Sequence, residues 1–148
     1  MEKMSIVLSV VEIIISLAVA FIEYRRDYSI SRMALEAEFF KEIYKKHLIC
    51  LIPDARKYIW FNQEGILSDV DNLIDELKKL KQDSLYFYYN DTKYYKKLKQ
   101  LCQELEEFLE ENAGKIFLAE EQGEVVNRIH KKIRKIYKHI SEGYLGIH

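Results

Sequence analysis

Between Met4 and Ile22 the chain runs for nineteen residues with a single charge, Glu12, and this run limits what the rest of the molecule can be. As an α-helix it measures roughly 28 Å, against about 30 Å for the hydrocarbon layer of a bilayer. Twelve of the nineteen residues are Leu, Ile, Val or Phe. At roughly −0.3 to −0.6 kcal/mol each they offset the roughly 3 kcal/mol that one central carboxylate costs, so insertion is favourable. A cleavable signal peptide fits less well. Ala18-Val19-Ala20 imitates a cleavage site, but Glu2 accompanies Lys3 at the start and the arginines lie on the far side. A buried core helix would need a larger domain around so apolar a surface. Residues 4–23 are therefore expected to form a transmembrane helix, and residues 24–148 a separate body. Lys3 alone precedes the run, whereas Arg25, Arg26 and Arg32 follow it, which predicts a single-pass protein of the inner (plasma) membrane with a cytoplasmic body.

At about 100° per residue, Ser5, Ser9, Glu12, Ser16 and Glu23 fall within roughly 60° of one another on a helix, and the other faces carry Val, Ile, Leu and Phe. Polar side chains in lipid turn toward a partner helix or a water-filled cavity, and no second spanning segment follows in this sequence. The expected partners are the lipid bilayer on the apolar faces and, along the stripe, another copy of the chain or another protein; a second copy gives a homo-oligomer. Serines allow close helix approach and bond across the interface. If the stripe lines a water column, a ring of Glu12 carboxylates favours cations and the seam becomes a pore.

The remainder carries one proline, Pro53, and five glycines, too few breaks for many short strands. The fold class expected is all-α: the N-terminal transmembrane helix followed by an antiparallel helical bundle. Helices are predicted over Ser29–Leu51, from Pro53 through Ala55 to Trp60, over Ser68–Lys81, over Thr92–Asn112 behind an Asp91 N-cap, and over Glu120–Glu142. Charged residues make up 32% of the chain, but the net charge is −1, so bulk charge neither demands nor excludes nucleic acid. Cys50 and Cys102 have neither CxxC spacing nor a histidine at ligand distance, so no metal site, disulfide framework or cofactor is expected. Reduced thiols fit a cytosolic face.

Two stretches are candidates for a ligand. In "SLYFYYNDTKYYKKLK" Tyr88 and Tyr89 stand beside Lys93 and Lys96, and "NRIHKKIRKIYKHI" carries Arg128, Lys131, Lys132 and Lys135 without one acid. Aromatic faces for bases and amines for phosphates suit a nucleotide or oligonucleotide, and a basic face also suits anionic lipid heads or a regulatory protein partner. The plainer reading is that the tyrosines are core and the lysines a solvated face.

Arg134 and His139, in "RKIYKH", form an Arg-x4-His pattern similar to that of HEPN ribonucleases, small helical bundles that act on RNA across a dimer interface. The resemblance covers six residues and departs from the family at Lys135, where Asn, Asp or His is usual. It implies a catalytic Arg134–His139 pair, yet five residues along a continuous helix set the two side chains roughly 140° apart. Apart from that pair no catalytic residue is expected, and the chain reads as a non-enzyme. Over its full length, from "SIVLSVVEIIISLAVAF" to the Tyr/Lys-rich helices, the layout resembles small membrane effectors of bacterial anti-phage defence. That resemblance implies a cytoplasmic domain that senses a nucleotide signal or partner protein, and an ion channel that depolarises the membrane on assembly, an antiviral defence.

Overall fold

The computed structural model describes residues 2–145, with side chains over residues 12–143 except position 32. It is all-α apart from one very short hairpin, and two compact units divide it, Met1–Phe39 and Phe40–His148. Helix α1 (Glu2–Ile43) runs through the first unit without the break expected between residues 23 and 29. No glycine or proline occurs before Pro53, so nothing interrupts its hydrogen-bond ladder. Every described residue from Glu12 to Leu35 is exposed, among them Ile13, Ile14, Leu17, Phe21 and Ile22.

Among the described residues no helix is long and apolar enough to cross a membrane. The apolar stretch that begins at Ile13 ends at Glu23, Arg25, Arg26 and Asp27, only about 15 Å further along the helix. Residues 4–11, which would complete the expected span, lie outside those whose side chains are described, and Ser5 and Ser9 lie with them.

In the second unit the end of α1 passes into a π-helical segment, Tyr44–Leu51, where an unbroken α-helix was expected. The wider register places the Ile52 amide on the carbonyl of His47, five residues back. The next amide in that register belongs to Pro53 and does not exist. The Leu48 carbonyl it would have served accepts the Tyr137 hydroxyl instead, at 2.6 Å. Proline suits the first turn of α2 (Ile52–Lys57) because that amide needs no helical partner.

Helix α2 stops before Trp60, and a hairpin follows: β1 (Trp60–Phe61) pairs with β2 (Leu67–Ser68), Trp60 opposite Ser68. The Asn62 side-chain oxygen holds its turn, accepting from the amides of Glu64 and Ile66 at 3.0 and 2.9 Å. Gly65 has φ +77° and sits where a side chain would strike the Phe117 carbonyl. Ser68 belongs to this hairpin and Asp69 takes a positive φ of 58°, so α3 (Asp71–Asp83) starts later than periodicity suggested. A short helix the periodicity did not show, α4 (Leu85–Asn90), follows buried Ser84, whose hydroxyl donates to the Leu80 carbonyl at 2.7 Å.

Helices α5 (Thr92–Asn112) and α6 (Ala119–Leu145) fall close to their expected limits. The Asp91 carboxylate caps α5 by accepting from the Tyr94 amide at 3.0 Å. Glu121 reaches back to the Leu118 amide at 2.9 Å to begin α6. Leu73, Leu77, Leu80, Leu98, Leu105, Leu109, Ile129, Ile136 and Ile140, all fully buried, form the core where α3, α5 and α6 meet.

Candidate functional site

Gly143, buried near the end of α6, brings that helix against the start of α5. A methyl group there would lie 2.6 Å from Tyr94 Cε2 and 2.8 Å from Phe40 Cε1, closer than carbon atoms approach. One turn earlier the His139 ring stacks on Tyr94, centroids 4.5 Å apart and planes inclined by 18°. His139 Nε2 donates to the Tyr94 carbonyl at 3.0 Å, which fixes the imidazole in place. Beside this wall lies an open groove of about 610 Å³. Lys93, Lys96, Lys97 and Gln100 line it from α5, and His139 and Glu142 line it from α6.

The pairing of Tyr94 with His139, and of Lys132 with the Phe108 ring 5.6 Å from its ammonium, shows that α5 and α6 are antiparallel. That register sets Glu104 and Glu111 of α5 level with Lys135 and Arg128 of α6. Among the described residues neither Glu104 nor Glu111 makes an ion pair with α6; Glu104 accepts from Gln100 Nε2 at 2.9 Å. Arg128 pairs with Glu124 at 2.6 Å, and Lys138 stands 3.6 Å from Glu142. Among the described residues none of Lys93, Lys96 and Lys97 makes an ion pair, and none of Lys131, Lys132 and Lys135 does either, whereas Lys78, Lys79 and Lys81 each hold a carboxylate; of the two unpaired sets only the α5 lysines line the groove.

The structure thus sorts the residues that the sequence offered together. Lys93 and Lys96 reach the groove. Tyr88 and Tyr89 do not: they are exposed, stack edge-on with each other at 5.0 Å, and Tyr88 meets Tyr95 at 5.6 Å on another flank of α5. Lys131 and Lys135 are exposed on α6. Glu12, Ser16 and Glu23 are exposed on α1. Arg134 is exposed and does not share a face with His139; its charge acts instead on His130. Burial first, and then the charges of Arg56 and Arg134, hold the His130 pKa below its ordinary value, and His130 accepts from Arg56 Nε at 3.2 Å. Lys97, from the same Tyr/Lys stretch, and Gln100, which was not among the expected residues, also line the groove, since the 93, 96, 97, 100 spacing is that of one helix face.

A second polar cluster joins the π-helical segment to the end of α3, with His47 buried and Lys46 exposed. Asp83 Oδ2 accepts from Lys46 Nζ at 2.6 Å and from His47 Nε2 at 2.9 Å. The proton of His47 sits on Nε2, because a carboxylate only accepts. Burial raises the Asp83 pKa, but the hydrogen bonds and charges of Lys46 and His47 outweigh it and hold the carboxyl below its usual range. His47 is wholly buried and its Nδ1 has no hydrogen-bond partner. No group of His, Cys, Asp and Glu able to hold a metal ion occurs among the described residues. The chain matches no family model, no curated protein and no solved structure.

Proposed function

We propose that this chain is a membrane effector whose N-terminal helix inserts into the bilayer and self-associates through Ser5, Ser9, Glu12, Ser16 and Glu23. The assembled seam forms an ion-conducting pore, controlled by a ligand or partner that the helical body binds. The supporting observation is the exposure of Ile13, Ile14, Leu17, Phe21 and Ile22 on α1. Apolar surface of this extent is stable only against lipid or another apolar surface. The sequence adds one narrow polar stripe to it, which lipid does not satisfy. This layout is that of the small anti-phage membrane effectors the sequence resembles.

Conduction by purified protein in planar bilayers tests the reading. Full-length protein is expected to pass cations, and Glu12→Leu to abolish the current or its cation preference. A membrane-bound protein that passes no current under any ligand condition would sink the pore and leave two other readings, a membrane-anchored HEPN-like ribonuclease or a non-catalytic adaptor that holds a partner at the membrane.

A further inference from the structure

We infer that the groove between the start of α5 and the end of α6 binds a phosphate-bearing ligand, with Lys93, Lys96 and Lys97 as the groups that hold the phosphates. This names the ligand class of the body in the reading above, and it rests on that reading only for what binding then does to the N-terminal helix. Three ammonium groups spaced i, i+3 and i+4 repel one another on a helix face, and the repulsion disappears when an anion sits among them. None of the three makes an ion pair among the described residues, and Lys97 Nζ has only Gln100 Oε1, at 3.3 Å. The acids nearby are engaged: Asp91 caps α5 and Glu142 lies against Lys138. The basic run of α6 does not line this space, and its Arg128 and Lys138 are paired within α6 with Glu124 and Glu142.

The shape agrees with the charge. A space of about 610 Å³ matches a nucleotide-sized molecule rather than a bare ion, since small-molecule sites span about 300 to 1,000 Å³. Its wall is rigid before any ligand arrives, because the His139 ring is stacked and hydrogen-bonded and Gly143 admits no side chain. The site rests on these side chains and this space rather than on the α5 N-terminus, whose Tyr94 amide Asp91 already occupies. A soluble di- or triphosphate and a phosphorylated lipid head offer the same chemistry.

Calorimetric titration of full-length protein in detergent tests the site with sodium tripolyphosphate and ATP, and flotation tests it with phosphatidylcholine vesicles with or without a phosphoinositide. Replacing Lys93, Lys96 and Lys97 together by Gln is expected to weaken binding by about tenfold or more, while Lys131→Gln with Lys135→Gln changes it by less than about threefold. Helical circular dichroism should be unaltered in both variants. Binding of a soluble probe that is lost in the triple variant supports a free phosphate ligand. Binding only to phosphoinositide vesicles, lost in the same variant, supports the same site with lipid as the source. Absence of binding to any probe, or equal loss in the α6 variant, overturns the inference. Conduction is a separate measurement, so a silent groove and a silent pore are told apart.

Discussion

Asp83 holds two side chains of the π-helical segment, since the same oxygen accepts from Lys46 and His47. Its pKa is depressed on folding, so its contribution to stability is complete above the ordinary carboxylate range near 4 and is lost as pH falls through the lower folded value. Asp83→Asn keeps an oxygen for His47 but removes the charge. The variant is expected to be less stable at neutral pH and to lose part of the steepness of acid unfolding below about pH 4, followed by circular dichroism in fixed urea. Identical acid limbs for the two proteins would mean that the charge contributes nothing. The sequence places Lys46, His47 and Asp83 with no visible link, because they are brought together only when α3 packs under the π-helical segment.

At the scale of elements, the π-helical segment, Pro53 and Tyr137 act as one device. Proline leaves the Leu48 carbonyl without the amide its register calls for, and Tyr137 supplies a hydroxyl from α6. Burial, followed by the neighbouring Tyr44, pushes the Tyr137 pKa up to about 12, so the phenol stays protonated and remains a donor at physiological pH. Tyr137→Phe should therefore cost about 1–3 kcal/mol in urea unfolding, the penalty for a buried carbonyl left unpaired. Pro53→Ala restores a backbone amide at that point, so the same Tyr137→Phe change should cost clearly less in its presence. Strict additivity of the two substitutions would show that the hydroxyl and the missing amide are unrelated. Proline was legible in the sequence as a boundary. Its unpaired carbonyl was not, because the choice between α and π registers turns on which side chains the widened turn buries, here His47 and Leu48.

At the scale of the whole molecule, Ile13, Ile14, Leu17, Phe21 and Ile22 are exposed on α1, and the function proposed above covers them with lipid. If the polar stripe is the seam, detergent-extracted protein should be an oligomer by light scattering, and Glu12→Lys, which lines up like charges of greater reach, should lower its mass. A monomeric wild type would leave the stripe without its partner. The groove of the second unit is independent of that outcome, since its residues come from α5 and α6 alone.

Periodicity, caps and breakers in the sequence were sufficient for the all-α class and for α5 and α6. Asp91 and the apolar positions Leu98, Leu101, Leu105, Ile129 and Ile136 carry those signals locally, within a turn or two of the residues they order. The hairpin at Trp60–Ser68 and the continuity of α1 were less legible, one depending on Asn62 and Gly65 closing a turn and the other on the absence of any breaker. Tyrosine and lysine were read together as one ligand surface because they alternate along the chain. A helix turns 100° at each residue, so neighbours in sequence face apart, and only the packing of α6 on α5 decides which lysines stand beside open space.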